Sequence, residues 1–166
     1  MTSNSEFAVS FLHQFQQYYN ELGILNHWAE PTKDSPYSSL ILRFDEIGER
    51  NLLIDLELCF LPEMDSLMQE GVYILQSFAV LKDDVPPSAY AKLLAETARI
   101  NIQLPLGAFG LFTDTGVLYF KHNTIQHREW LSNQLALQHF DRQNALVVHQ
   151  FYLYTDLLLN LAEGLS

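Results

Sequence analysis

Five apolar side chains near the N-terminus are spaced four, four, three and four residues apart, which predicts one face of an amphipathic helix. These side chains are Phe7, Phe11, Phe15, Tyr18 and Leu22. Ser3 or Ser5 can cap the start of this helix, because a serine hydroxyl accepts a hydrogen bond from a free backbone N–H of the first turn. Gly23 is predicted to end the helix, since glycine readily adopts the left-handed conformation that follows one.

The following segments alternate between apolar and polar residues, which predicts strands of a sheet. Residues 24–39 lack a period and are predicted as a loop, with a short strand near His27–Trp28. Three strands are predicted at 40–45, at Leu52–Phe60 and at Val72–Leu81. Clean alternation in the second strand indicates a sheet with one buried and one polar face. In the third strand, one predicted face consists of Val72, Ile74, Gln76, Phe78 and Val80.

The second half of the chain begins with a predicted helix and a hairpin. The helix runs from about Pro87 to Asn101, after acidic residues and prolines that are typical of a helix start. Its expected buried stripe is Tyr90, Leu93, Leu94, Thr97 and Ile100. Strands at 108–112 and 117–122 form a predicted hairpin. Residues 123–134 fit either a loop or a further short strand around Arg128 to Leu131.

A long apolar helix is predicted at the C-terminal end of the sequence. It begins between Gln138 and Arg142, with Asp141 as a possible N-cap, and ends near Glu163 before Gly164. Its apolar residues surround the helix axis, which indicates burial within the chain or by a partner. They are Leu146, Phe151, Tyr152, Leu153, Leu157, Leu158, Leu159 and Leu161. The element order is helix, three strands, helix, two or three strands, helix. It predicts one α+β domain over residues 1–166, with a mostly antiparallel sheet packed on helices.

Composition adds an apolar excess and an uneven charge. Apolar residues make up 48% and charged residues 17% of the chain, so the excess is expected in a dense core or in an interface. The net charge is −11; residues 1–84 carry 14 acids and 4 bases, whereas residues 85–166 carry 6 acids and 5 bases. The acidic first half repels phosphate backbones and anionic lipid, so neither nucleic acid nor membrane is an expected partner. It favours solubility or a basic partner segment.

Cysteine content and segment hydrophobicity suggest a location. Cys59 is the single cysteine, so no disulfide can form within this chain. No signal-peptide pattern is visible, and polar residues interrupt the C-terminal apolar run. The expected location is the cytoplasm.

Metal and nucleophile chemistry is weakly supported. His122 and His127 lie near Glu129, but neither a helical zinc motif nor a cysteine pair accompanies them. Cys59 falls inside a strand pattern, where a small buried side chain is its simplest role. Neither a metal nor another cofactor is expected.

Paired carboxylates are the remaining acid–base candidate. Asp55 and Glu57 project from one face of a strand, which permits a two-carboxylate site. A solvated strand face opposite Arg43 explains the same residues more simply. No catalytic residue is expected, and the chain is predicted not to be an enzyme.

A helix, a short apolar link and a hairpin follow one another in residues 94–122. The run Leu94-Ala-Glu-Thr-Ala-Arg-Ile-Asn101 is followed by the apolar link from Leu104 to Phe109 and by a hairpin that ends in Tyr119-Phe-Lys-His122. These residues resemble the YbjN-type domain, in which a helix ends in Asn, a short link with Gly follows, and the hairpin closes on an aromatic and a basic residue. The order of elements also resembles the type III secretion chaperone-like fold. The resemblance implies a non-enzymatic protein, since chaperones of that fold are acidic homodimers that hold an extended segment of another protein.

Two classes of function remain open at this level. The first is a non-enzymatic protein-binding or regulatory domain, chaperone-like in holding a segment of an unidentified partner protein, and expected to be a homodimer. The second is a small-ligand sensor or an enzyme of unrecognised type, with a pocket between the sheet and the C-terminal helix. Aromatic residues in irregular segments often anchor interfaces. The candidate interface residues are Phe11, Tyr18, Trp28, Trp130, Phe151, Tyr152 and Leu159.

Overall fold

The computed structural model describes residues 4–61 and 71–165, and the predicted cap at Ser3 lies outside them. The helices are α1 (Asn4–Glu21), α2 (Tyr90–Asn101), α3 (Arg128–Leu131) and α4 (Ala136–Ala162). A single 3-10 turn at Pro87–Ala89 precedes α2. The strands are β1 (Asn26–Ala29), β2 (Ser39–Ile47), β3 (Leu52–Phe60), β4 (Val72–Lys82), β5 (Ala108–Phe112) and β6 (Val117–His127).

The strands form one six-stranded sheet in the order β1-β2-β3-β4-β6-β5. The edge strand β1 pairs antiparallel with β2, and the other edge strand β5 pairs antiparallel with β6. In the second pair, Gly110 lies directly opposite Tyr119. The predicted α+β class with an antiparallel sheet is confirmed, as is the short strand near His27–Trp28.

The described chain divides into two compact units. Unit 1 contains residues 4–43, 56–61, 71–77 and 123–143. Unit 2 contains residues 44–55, 78–122 and 144–165. Each unit includes part of the sheet and part of α4, and each has its own aromatic core.

In unit 1, α1 packs on the buried face of the sheet. The ring of Phe11 contacts Phe60 at 5.9 Å and Phe140 of α4 at 5.8 Å, between ring centroids. The buried stripe of α1 consists of Ala8, Phe11, Leu12, Phe15 and Tyr19. At about 100° per residue this stripe is rotated by roughly 60° from the predicted one, so Leu22 is exposed.

In unit 2, the C-terminal part of α4 covers the hairpin of β5 and β6. The ring of Phe151 lies 5.2 Å from that of Phe120 and 6.4 Å from that of Phe109, between centroids. Of the residues predicted to form the buried stripe of α2, Leu93, Thr97 and Ile100 are buried. Leu94 is exposed.

The less buried face of β4 is the one that carries Val72, Ile74, Gln76, Phe78 and Val80. Four residues of β4 are fully buried, and all of them belong to the opposite face: Tyr73, Leu75, Ser77 and Ala79. Apolar residues occur on both faces of this strand, so alternation alone does not show which face the helices cover. The ring of Tyr73 meets Phe7 of α1 and Phe60 of β3, which fixes the buried side.

The chain after β6 departs from the prediction in two places. Residues 128–131 form a helix and not a strand, and Nδ1 of His127 caps its first turn by accepting a hydrogen bond from the backbone N–H of Glu129. The last helix begins at Ala136, earlier than predicted. Its start is stabilised by Asn133, whose side-chain oxygen accepts from the N–H of Leu135 at 2.9 Å. Gly164, at φ +71°, follows its end as predicted.

Candidate protein-binding surfaces

The open face of the sheet in unit 2 carries apolar side chains. We name Leu53, Phe78, Val80, Phe112 and Tyr119 the open-face patch; they lie on β3, β4, β5 and β6, on the side opposite the buried residues. Leu53 is 58%, Val80 49% and Phe112 42% exposed. An antiparallel sheet with one solvated face normally places polar residues there. A group of exposed apolar side chains on that face is therefore a candidate contact surface.

A ladder of stacked rings organises the open-face patch. Tyr119 stacks on Phe112, with centroids 4.2 Å apart and planes 21° from parallel. Its other neighbour is Phe78, at 5.6 Å and 19°. Tyr119 can lie across β5 because Gly110 is its partner: a Cβ at position 110 would be 2.5 Å from the ring's Cζ. The glycine of the edge strand thus provides the space that the ladder needs.

Acidic side chains stand beside the open-face patch. Asp55 shares the open face of β3 with Leu53, and Asp45 is exposed on β2. Lys121 of β6 is an exposed base in the same unit. Lys82 follows Val80 by two residues on β4, so both acids and bases lie on the strands around the patch, in a chain whose net charge is −11.

A second apolar surface runs along the outer side of α4. Leu146, Leu153 and Leu157 are exposed, Leu153 at 56%. At about 100° per residue, the three side chains fall within roughly 40° of one another around the helix axis. We name them the leucine stripe. Tyr152, a predicted interface residue, is 47% exposed on the same helix but points to a different side.

The edge strand β5 is closed by a side-chain amide. The Asn101 side chain accepts a hydrogen bond from the backbone N–H of Phe109 at 2.9 Å and donates one to its backbone oxygen at 2.8 Å. Gln150 bonds both backbone groups of Leu106 in the same way, at 3.2 and 2.9 Å. The Asn101 amide therefore occupies backbone groups of β5 that an added strand would need, while Gln150 holds the link just before the strand. This accounts physically for Asn101 in the motif that resembles the YbjN type.

Three of the predicted interface residues lie at partly exposed positions of unit 1. Trp28 of β1 stacks on His13 of α1, with ring centroids 3.9 Å apart. Tyr18 is half-buried, and burial together with the Asp141 carboxylate raises its pKa. Trp130 is partly exposed and places its ring edge-on to His139. These three side chains each contact a neighbouring element, so they brace the fold and also reach its surface.

The other predicted interface residues divide between core and surface. Phe11, Phe151 and Leu159 are at most 4% exposed and fill the cores described above. These three need no partner for their burial, whereas Tyr152 stays exposed. The open-face patch was not among the predicted interface residues, whereas the three leucines of the stripe belong to the apolar residues of the last helix for which burial by a partner was one prediction. In the sequence, only Leu53 on the otherwise polar face of β3 pointed to the open-face patch. The ladder of rings depends on the order of the strands in the sheet, which the sequence pattern does not show.

The residues with chemical potential take structural roles. Cys59 is buried, and burial followed by the charge of Glu57 raises the pKa of its thiol to about 12. It is therefore protonated at neutral pH and is a poor nucleophile. Glu57 accepts a hydrogen bond from Oγ of Ser39. Within residues 4–61 and 71–165, no three metal-binding side chains cluster. No helix in that part of the chain has the length and apolarity to span a membrane.

No family model matches the chain, and no curated protein matches it. Among solved structures it is similar to the crystal structure of YbjN, described as a candidate transcription regulator from E. coli. The identity is 15%, the match covers 85% of this chain and 88% of that one, and the TM-score is 0.47. YbjN is also the domain type that residues 94–122 resemble in sequence.

Proposed function

We propose that the chain is a non-enzymatic protein-binding domain that holds a basic, amphipathic segment of another protein on the open-face patch. The observation that carries the proposal is the ladder of Phe112, Tyr119 and Phe78, flanked by exposed Leu53 and Val80. Aromatic rings that are held rigidly by their neighbours lose little conformational entropy on binding. They are therefore well suited to act as anchors for apolar side chains of a partner.

The charge of the chain supports a basic partner. Asp55 shares the open face of β3 with Leu53, and the whole chain carries −11. Complementary charge steers a positive segment to the surface and disfavours acidic ones. The same potential repels nucleic acid and anionic lipid, so a protein segment is the class of partner that fits both the charge and the apolar rings.

The closed edge of β5 supports binding through side chains. A partner that added a strand to β5 would have to displace the Asn101 amide from both backbone groups of Phe109. Contact with the open face leaves those bonds in place. The high pKa of Cys59 and the hydrogen-bonded Glu57 carboxylate support a role without catalysis.

Peptide binding tests the proposal. Three fluorescent amphipathic peptides are prepared with identical apolar positions and with basic, neutral or acidic polar positions. We expect the basic peptide to bind most tightly and to weaken as salt is added. The Leu53→Ser/Val80→Ser variant removes two exposed apolar side chains and should lose about tenfold in affinity, which corresponds to about 1.4 kcal/mol.

A matched variant supplies the control. Leu22 and Leu25 are equally exposed, at 52% and 64%, and belong to unit 1. Leu22→Ser/Leu25→Ser should leave the affinity unchanged. Equal binding of the acidic peptide, or an equal loss in both double variants, would show that the open-face patch is not the binding surface.

We propose also that the chain forms a homodimer through the leucine stripe. Two copies of an acidic chain repel each other least where charge is low, and residues 85–166 carry 6 acids and 5 bases against 14 and 4 in residues 1–84. The leucine stripe is a narrow apolar row on one helix, and such a row can pack against the same helix of a second copy.

Light scattering after size exclusion tests the dimer. The wild type should elute as a dimer at micromolar concentration. The Leu153→Glu variant should be monomeric, because a dimer through the leucine stripe would bury its charged carboxylate. Ile102→Glu, at an 86% exposed position outside α4, is the control and should remain dimeric. A wild-type monomer at high micromolar concentration contradicts the dimer.

A further inference from the structure

A cavity of about 130 Å³ lies beneath the N-terminal part of α1. It is located where β2 begins, β3 ends and β4 begins, within unit 1. Its walls come from α1, from the loop before β2 and from the two strand ends. This position differs from the predicted pocket between the sheet and the C-terminal helix.

The space results from one small side chain and a rigid loop. Ala8 occupies the buried face of α1 where larger residues stand before and after it, so α1 leaves room at this point. Opposite, Pro31 and Pro36 form part of the wall and fix their own backbone angles. Between them the N–H of Thr32 donates to the backbone oxygen of Ser35 at 2.7 Å. The loop wall is thus held by its own turn.

The lining is apolar with a few hydroxyl groups. Leu12, Phe60 and Ile74 contribute apolar surface, Ser5 and Ser38 contribute hydroxyls, and Tyr37 and Tyr73 also line the cavity. Among the described residues of the lining, none carries an acidic or basic side chain. An ionised ligand would therefore lose its hydration without gaining a counter-charge.

We propose that this cavity binds a small neutral molecule that has one apolar ring or branched chain and at most one hydroxyl group. A dry cavity of about 150 Å³ holds benzene, so the volume here limits the ligand to about six or seven non-hydrogen atoms. The hydroxyls of Ser5 and Ser38 can bond a hydroxyl of the ligand. The site is distinct from the open-face patch and the leucine stripe, since they share no residue.

Methyl-resolved NMR of the full chain with phenol as the probe tests the proposal. Phenol should shift the methyl signals of Leu12 and Ile74 in a saturable manner at millimolar concentration. Benzoate, of nearly the same size but charged, should produce no shift at these methyls. Naphthalene, which is too large for the volume, should produce none either.

Two variants locate the site. Ala8→Leu fills the cavity and should abolish the phenol shifts. Ser5→Phe closes it from an exposed position and should do the same without affecting the fold. Ala98→Leu, at an exposed position of α2, adds the same atoms elsewhere and should bind phenol as the wild type does.

The outcomes separate this site from the protein-binding function. If Ala8→Leu and Ser5→Phe lose phenol but retain the affinity for the basic peptide, the two sites are independent, as proposed. Unchanged phenol shifts in both variants, equal shifts with benzoate, or no saturable shift in the wild type would each overturn the proposal.

Discussion

Replacement of Asn101 is expected to destabilise the hairpin edge in a way that depends on the chemistry of the new side chain. The Asn101 amide makes two hydrogen bonds to Phe109, one as acceptor and one as donor, at 2.9 and 2.8 Å. Phe109 is 2% exposed, so water cannot easily replace the lost partners. Asn101→Ala removes both bonds and leaves the backbone N–H and C=O of Phe109 unpaired.

The magnitude follows from these two bonds. A hydrogen bond contributes about 1 kcal/mol net, and a buried group left unpaired costs about 1–3 kcal/mol. We therefore expect Asn101→Ala to lower the free energy of unfolding by about 2–3 kcal/mol. In Asn101→Asp the carboxylate still accepts from the N–H of Phe109 but faces its carbonyl oxygen. At neutral pH this variant should be at least as unstable as the alanine variant.

The pH dependence separates hydrogen bonding from packing. A carboxyl group beside a carbonyl oxygen has its pKa raised in the folded state, since only the protonated form donates. In the Asn101→Asp variant the protonated carboxyl restores both bonds, so the stabilisation is present below the unfolded pKa of about 3.9 and is lost as pH rises through the folded value. Asn101→Asp should therefore approach the wild type in acid, whereas Asn101→Ala should not.

Urea unfolding from pH 4 to pH 8, followed by circular dichroism, measures these differences. Asn123→Ala, at an exposed position of β6, is the control and should change stability by only a few tenths of a kcal/mol. A loss below about 0.5 kcal/mol for Asn101→Ala would refute the reasoning. So would a pH-independent gap between Asn101→Asp and the wild type.

Three further changes probe the open-face patch, the thiol and the surface charges. Gly110→Ala places a Cβ 2.5 Å from Cζ of Tyr119, so we expect altered Tyr119 ring signals in NMR with a modest loss of stability; unchanged ring shifts would contradict the ladder geometry. The buried Cys59 thiol, with its pKa raised to about 12, should resist iodoacetamide at pH 8 until the chain is unfolded; rapid native labelling would contradict this. Arg50 lowers the pKa of Glu163 through a hydrogen bond, so its stabilisation is present above the ordinary value of 4.5 and is lost as pH falls. In the Glu163→Gln variant the free energy of unfolding should therefore fall less in acid than it does in the wild type. An equal fall in both proteins would count against a stabilising Arg50–Glu163 interaction.

Periodicity was sufficient to predict the elements because most of them bury a single face. The alternation of β3 and the punctuation around α2 placed these elements correctly. Alternation could not show which face of β4 is buried, since both faces of that strand carry apolar residues. The rotation of α1 had the same origin: Leu12 and Tyr19 are apolar as well, and only tertiary contacts decide which stripe faces the sheet.

The parts that could not be predicted depend on long-range partners. His127 caps α3 through its imidazole nitrogen, a role that no common capping preference indicates. Gly110 was visible as a strand glycine, but its function depends on the facing Tyr119 ring. Asn101 belonged to the motif that resembles the YbjN type, and its bonds to Phe109 supply the physical reason for it.

The apolar character of α4 has two separate causes. Phe151 and Leu159 are covered within the chain, so these residues explain part of the excess as ordinary core. Leu146, Leu153 and Leu157 remain exposed and share one side of the helix, which ordinary core formation does not explain. The open-face patch is a second uncovered surface, and it differs from the first in its acidic surroundings. Since a basic segment is attracted to an acidic chain and a second acidic copy is repelled by it, we propose a different partner for each surface.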